Sequence, residues 1–381
     1  MTTRLGSLDI YPPAEKFAYL DAASVGLMHK GAAESIIRWQ QALADEGTVA
    51  FDEQAETEIL DVLAAAAARL VNAKTADVAV ASSETVLMAS LAWAIAPPAG
   101  TNIVSTDVAH PSTIYPWMRV AESTGAEMRW ARGANQYVTP ESIEALIDER
   151  TAVVCLSHAE YGTGQIYDLK RFAALAHKHD ARLIVDATQS AGQVPIDVAA
   201  TGVDAVAAST YKWICGPFGA GFMYLSPELQ KTHPGIAGWR THKDIFDFKA
   251  DRLEYPNSAK RYEFGTMAYG TALGAGEALR YLLDIGIDAI AAHNRAVSDA
   301  LRAGLEDLGA EILSPKDPSE RSATVAARFP GHESAAFAAT LKTQGVVASL
   351  RRDFIRFSPH LYNNSDDIET ALSAIRDGLG G

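Results

Sequence analysis

Between residues 77 and 225 the chain alternates short apolar runs with longer amphipathic ones. The apolar runs are DVAVA, TNIVST, AEMRWA, TAVVCLS, ARLIVDA, VDAVAAS and GFMYL. Each is strand-length, and helical stretches such as PESIEALIDE and DLKRFAALAHKHD lie between them. Strands that alternate with helices need crossover connections, so the pattern predicts an α/β unit with a mostly parallel seven-stranded sheet covered on both faces. The helix starts are punctuated accordingly: Thr139 before Pro140 reads as N-cap then first helical residue, and Asp168 caps the next helix. Beyond about residue 255 the period changes. TALGAGEALRYLLDIGIDAIAAHNRAVSDALRAGLEDLG predicts two helices in succession. A smaller α+β unit follows, with strands at ATVAARF, GVVASL and FIRFS and a surface connection at SPKDPSER. The alanine tract at 64–68 falls within ETEILDVLAAAAARLVNA and is simply good helix-forming sequence.

Composition narrows what such a fold serves. The chain has 381 residues and 48% hydrophobic content, enough for a large core and, by length alone, two or three domains. Its formal charge of -14 argues against a nucleic-acid partner, which needs a basic face to neutralise phosphates. The opening MTTRLGSLDIYPPAEKF lacks the apolar core of a signal peptide, and no stretch is long and apolar enough to span a bilayer. A cytoplasmic protein that does not enter membranes is expected. Cys155 and Cys215 stand far apart and without clustered His/Cys spacing, so neither a disulfide scaffold nor a metal site is expected.

Candidate chemistry lies in VDATQSAGQVPIDVAATGVDAVAASTYKWICGPFGAGF. Asp186 closes an apolar run, which places it at the carboxyl end of a strand, where open α/β sheets bind ligands. Lys212 follows the next strand in an uncharged stretch, and a buried amine without a partner is costly. A carboxylate and an amine facing one crevice are the pair pyridoxal phosphate requires: one keeps its ring nitrogen protonated, the other forms a Schiff base. Each residue has an ordinary structural alternative, a helix cap for Asp186 and a snorkelling side chain for Lys212. In ASSETVLMASLAW a strand ends and Ser82, Ser83, Glu84 and Thr85 open a helix, whose N-terminus suits a phosphate and equally suits simple capping. GPFGAG lacks dinucleotide-fingerprint spacing and reads as a tight turn into GFMYL.

In order along the chain, YLDAASVG, ASSET, AHPSTIYPW, SHAEYGTG, VDATQSAG, STYKW, RYEFGT and IRFSPHLYNNSDDI resemble the class V aminotransferase superfamily. These are fold type I pyridoxal phosphate enzymes, and the similarity is strongest to the cysteine-desulfurase-like and isopenicillin N epimerase-like branch. The resemblance covers nearly the whole chain. It implies a homodimer with shared active sites, a large cofactor domain over 31–255, connecting helices and a small α+β domain over 256–381, and an N-terminal segment, 1–30, packing with the small domain. It further implies Lys212 as the Schiff-base lysine and proton shuttle, Asp186 as the partner of the pyridine nitrogen, and Gln189 as the hydrogen-bond partner of the cofactor's phenolic oxygen. His110 matches an imidazole stacked on the ring. Ser83, Glu84, Thr85, Ser209 and Tyr211 fall at cofactor-contacting positions, and Thr266 matches a threonine that reaches the neighbouring subunit's phosphate. Arg356 matches the arginine that binds the substrate α-carboxylate, with Ser24 and Tyr161 on the substrate side. Arg351 and Arg352 are expected to be solvated surface charges.

The departures bear on the reaction. Cysteine desulfurases carry a nucleophilic cysteine shortly before the carboxylate-binding arginine, and GVVASLRRDFIRF contains none. Tyr161 stands where many relatives have asparagine, and Tyr211 precedes the lysine where desulfurases usually have histidine. The expected activity is therefore transamination or β-elimination on an amino acid, with epimerisation as the next alternative. A cofactor-binding protein without turnover, and a nicotinamide-dependent oxidoreductase without its glycine fingerprint, are the competing classes.

Overall fold

The computed structural model describes residues 2–380. The seven predicted strands form one sheet: β1 (Val78–Ala81), β2 (Asn102–Thr106), β3 (Glu127–Ala131), β4 (Thr151–Ser157), β5 (Arg182–Asp186), β6 (Ala205–Ser209) and β7 (Gly221–Leu225). Their spatial order is β1-β7-β6-β5-β4-β2-β3, and only β7 runs against the others. Successive residues of a strand point to opposite faces, and both faces are packed. Val154, Leu156, Leu183 and Val185 enter one core while Val153, Cys155 and Ile184 enter the other. That double burial explains why these strands read as unbroken apolar runs.

Helices cover both faces. α1 (Lys30–Glu46), α2 (Asp61–Val71) and α5 (Leu169–Lys178) belong with the first core, whereas α3 (Glu84–Ile95) and α4 (Pro111–Thr124) pack over the second. Thr139 and Asp168 accept hydrogen bonds from Ser142 N and Arg171 N, the capping their positions predict. The helix expected over PESIEALIDE is shorter, ending at Glu144. The long helical stretch divides into α6 (Tyr269–Ile285) and α7 (Ile287–Asp307) at Gly286, whose φ of 95° is left-handed backbone that glycine adopts without penalty.

A second sheet of β8 (Glu311–Ile312), β9 (Val325–Arg328), β10 (Ser349–Arg351) and β11 (Phe354–Phe357) is antiparallel, in the order β10-β11-β9-β8. GVVASL, expected as one strand, takes two partners instead. Val346–Val347 pairs in parallel with Ala18–Tyr19 near the N-terminus, and Ser349–Arg351 turns back on β11. The pairing brings the N-terminal segment into a third core, where Leu20 packs with Val297, Ile355, Phe357 and Ile368. Among the described residues no helix is long and apolar enough to cross a membrane.

Candidate active site

Parallel strands deliver their carboxyl ends to one edge of the sheet. Asp186 ends β5 beside Ser157 at the end of β4, Ser209 ends β6, and β1 leads directly into the N-terminus of α3. Together they line one cleft. Of the residues expected at the site, Glu84, Thr85, His110, Tyr161, Asp186, Gln189, Ser209, Tyr211 and Lys212 line it.

Asp186 is oriented by two donors: Thr113 Oγ1 gives a bond of 2.6 Å to Oδ2, and Thr188 N gives one of 2.8 Å to Oδ1. Lys212 is buried, and among the described residues its amine has no carboxylate within ion-pairing distance. Burial pushes its pKa down to about 8, against the attraction of Asp186; Arg356 and Arg351 push in the same direction as burial. The backbone that carries it is clamped. Gly26 N donates to Tyr211 O at 2.9 Å, and a Cβ on Gly26 would sit 2.0 Å from Lys212 O.

At the other end of the cleft, Ser83 is the N-cap of α3, accepting from Val86 N. Ser209 Oγ accepts from Glu84 N at 3.3 Å. The Glu84 side chain is only 2% exposed, its Oε2 accepts from Thr85 Oγ1, and its Oε1 has no partner. Burial and then Asp186 raise its pKa well above the usual carboxylate range. His110 caps α4 through Nδ1 and meets the Tyr161 ring edge-on at 5.3 Å. Its pKa is lowered by burial and by Lys212. Tyr211 stacks on Phe218.

Arg356 and Ser24 lie beyond Tyr161. The Arg356 guanidinium is 1% exposed, donates from Nη1 to Tyr161 O at 2.7 Å and from Nη2 to Ser24 Oγ at 2.6 Å, and lies 3.5 Å from Asp21. Its Nε has no partner, and burial pushes its pKa down to about 10. Arg351 overturns the expectation of a solvated charge: its Nη2 donates to the same Ser24 Oγ at 2.7 Å. The reason is register. Ser349 pairs with Arg356 and Arg351 with Phe354, so strand alternation turns Ser349, Arg351 and Arg356 to one face. Ser349 Oγ in turn donates to Asp21 Oδ1 and stands 2.7 Å from Ser24 Oγ. Thr266 is exposed, outside the cleft lining of its own chain, and accepts from Trp239 Nε1. Sequence reasoning missed Thr113 and Thr188; the spacing of Thr113, one helical turn after His110, was the available signal.

These donors fit pyridoxal phosphate. There is an amine of lowered pKa for its aldehyde, a doubly hydrogen-bonded carboxylate for its ring nitrogen, and a helix N-terminus with hydroxyls for its phosphate. The unpartnered Glu84 Oε1 belongs to an acid whose raised pKa favours its neutral form, the form that does not repel an anion. The two cysteines do not approach this chemistry. Cys155 is buried in β4 with its thiol pKa raised well above the usual value, and burial pushes the Cys215 thiol to about 12.

Comparison with known proteins places this geometry in context. The family model described as Aminotransferase class-V matches residues 32–370. An uncharacterized aminotransferase, YcbU of Bacillus subtilis, is 29% identical over 311 residues, covering 81% of this chain and 80% of its own. A probable cysteine desulfurase of Mycolicibacterium paratuberculosis is 30% identical over 73% of this chain, which spans 42% of that protein. Among solved structures, a C-DES mutant with glycine covalently linked to its PLP cofactor superposes with a TM-score of 0.89 at 24% identity, covering 98% and 99% of the two chains. A family match over most of the chain, with a cleft whose donors suit the same cofactor, leads to one conclusion: the chain belongs to the class-V aminotransferase family and is a pyridoxal phosphate-dependent enzyme of fold type I.

Proposed function

We propose that the enzyme breaks the Cα–H bond of an amino-acid substrate, leading to amino-group transfer or loss of a β-substituent, and that it is not a cysteine desulfurase. The observation that carries the reading is Lys212 and Asp186 in one cleft, with a buried arginine behind Tyr161. Pyridoxal phosphate, when bound, supplies a ring that accepts the electron pair left at Cα.

The chain's own residues do the rest. Lys212 would hold the cofactor through its amine and would serve as the base for the Cα proton of bound substrate; a pKa near 8 keeps part of its population neutral and basic at neutral pH. Asp186, held by Thr113 and Thr188, keeps the ring nitrogen protonated. His110 would cover the cofactor ring, and Gln189 would donate to its phenolic oxygen. The N-terminus of α3 would hold the phosphate, with Ser83, Glu84, Thr85, Ser209 and Tyr211 around it and Thr266 supplied by a second copy of the chain. Arg356, Ser24 and Arg351 bind the α-carboxylate, with Tyr161 on the substrate side. Arg356 already faces Asp21, so Arg351 supplies the net positive charge this subsite needs.

Desulfuration requires a thiolate that accepts sulfur near the arginine. In this chain β10 and β11 are joined through Arg352 and Asp353 alone, and both thiols are buried and held neutral. The test is an amino-acid screen that follows pyruvate, ammonia, sulfide, enzyme-bound persulfide and the aminated cofactor. Pyruvate and ammonia identify elimination, and aminated cofactor alone identifies transfer. Persulfide formed on this chain from cysteine refutes the proposal.

A further inference from the structure

Trp213 follows Lys212 in the chain and is fully buried, yet its polar atoms are not idle. Its indole Nε1–H donates to Gln189 Oε1 at 2.8 Å. On the other side of the same amide, Gln189 Nε2 donates to Ala23 O at 3.0 Å. An indole N–H only donates and a carbonyl only accepts, so these two partners allow one orientation of the amide. The donor that remains is the second Nε2–H of a side chain that lines the cleft.

Trp213 is itself held. Its carbonyl accepts from His360 Nε2 at 2.8 Å, and a carbonyl can only accept, so Nε2 carries the proton and Nδ1 is free to accept from Asn294 Nδ2 at 3.0 Å. The imidazole is wholly buried and lies edge-on to the indole at 5.2 Å. Burial lowers its pKa to about 3, so this arrangement does not change across the physiological range. Gly192 closes the other flank: a Cβ there would stand 2.6 Å from Trp213 O. The lysine's loop and the N-terminal segment at Ala23 thus meet at one amide, and the C-terminal segment at His360 holds the loop from behind.

We infer that Trp213 is a positioning residue: its indole N–H fixes the Gln189 amide so that an N–H, not the carbonyl oxygen, is turned toward the oxygen of the bound cofactor ring. This rests on the cofactor reading of Gln189 given above. Without the indole donor the amide is free to rotate, and oxygen would then face oxygen. Loss of one such hydrogen bond, about 1 kcal/mol, corresponds to roughly fivefold in affinity. A donor to an ionised oxygen also favours its charged form, so losing it raises the pH at which that oxygen titrates.

The experiment titrates cofactor-free protein with pyridoxal phosphate, and follows the pH titration of the bound cofactor's visible band, in wild type, Trp213→Phe, Gln189→Leu and the double variant. Replacing Trp213 by benzothienylalanine, which exchanges the N–H for sulfur in the same shape, serves if phenylalanine disturbs folding. Expected is roughly fivefold weaker cofactor binding and a band titration displaced to higher pH in either position-213 variant, with the double variant no worse than Gln189→Leu. If Gln189→Leu alters both readouts while the position-213 variants match wild type, or if the two effects add in full, Trp213 does not act through Gln189 and the inference is wrong. If Gln189→Leu alters neither readout, the cofactor role of Gln189 falls and takes the inference with it.

Discussion

Lys212→Met should make the cofactor-free protein more stable, although it destroys the group on which the proposed chemistry depends. In the folded protein the amine titrates at about 8 in place of its ordinary 10.5, chiefly because burial penalises the charged form. That difference corresponds to a penalty on the order of 3 kcal/mol on the protonated lysine. The unfolded chain binds the extra proton between about pH 8 and 10.5, so the penalty is complete below pH 8 and disappears as pH rises through 10.5. Methionine fills similar volume and carries no charge, so it escapes the penalty at every pH. For a chain of this length the gain at pH 7 amounts to roughly 4 °C in melting temperature, taken from the per-residue unfolding entropy. The assay is parallel thermal unfolding of cofactor-free wild type and variant at pH 7 and near pH 10. Groups remote from Lys212 titrate equally in both proteins, so the wild-type-minus-variant difference reports Lys212 together with His110 and Glu84, whose pKa values it lowers. The gap should be widest at pH 7 and narrow toward pH 10. A variant less stable than wild type, or a gap independent of pH, would refute the claim that this amine is strained by burial.

Arg351→Ala should raise KM for amino-acid substrates about tenfold or more with a smaller effect on kcat, because the guanidinium contributes to carboxylate binding before and during reaction alike. Arg352→Ala, one residue along at the exposed turn, should leave KM unchanged; equal effects of the two would mean only general charge matters. Gly26→Ala forces a Cβ within 2.0 Å of Lys212 O, so the loop must move, and both melting temperature and the visible absorbance of bound cofactor should fall; a fully coloured variant of wild-type stability would show that the clamp is dispensable. Replacing Cys155 and Cys215 together by alanine should preserve turnover of whichever amino acid the wild type accepts, measured as product formation at saturating substrate, since both thiols are buried and neutral. A loss beyond what reduced stability explains would reopen sulfur transfer.

What the sequence carried, and what it did not, divides along a physical line. Six strands of the large sheet were legible because they are buried along nearly their whole length, so apolar runs of the right length had no competing explanation, whereas β3, at the sheet edge, is mostly half-exposed and carries Glu127 and Arg129 within its run. The same burial made Asp186 and Lys212 visible, as charges at the ends of runs that otherwise exclude charge. GVVASL was legible as extended chain but not as two strands, because its division depends on where Ala18–Tyr19 lies, more than three hundred residues away in sequence. Arg351 fails for a related reason. Next to Arg352 in a polar hairpin it looks like surface charge, and only the pairing of Ser349 with Arg356 decides which arginine turns inward; a slip of one residue would exchange their roles.

Gln189 shows the limit most directly. The family resemblance identifies it as a residue of the cleft, yet a glutamine presents either a donor or an acceptor, and chain order says nothing about which. That choice is made by Trp213 and Ala23, brought together from distant parts of the chain, with His360 holding the tryptophan in turn. Residue types along the chain therefore specify which groups reach the cleft, while the tertiary contacts behind them specify the polarity each presents. Substitutions at those supporting positions should thus alter cofactor electronics without touching the cofactor. Substitutions among the strand residues that merely fill the two cores should alter stability and leave the cofactor's spectrum as it was.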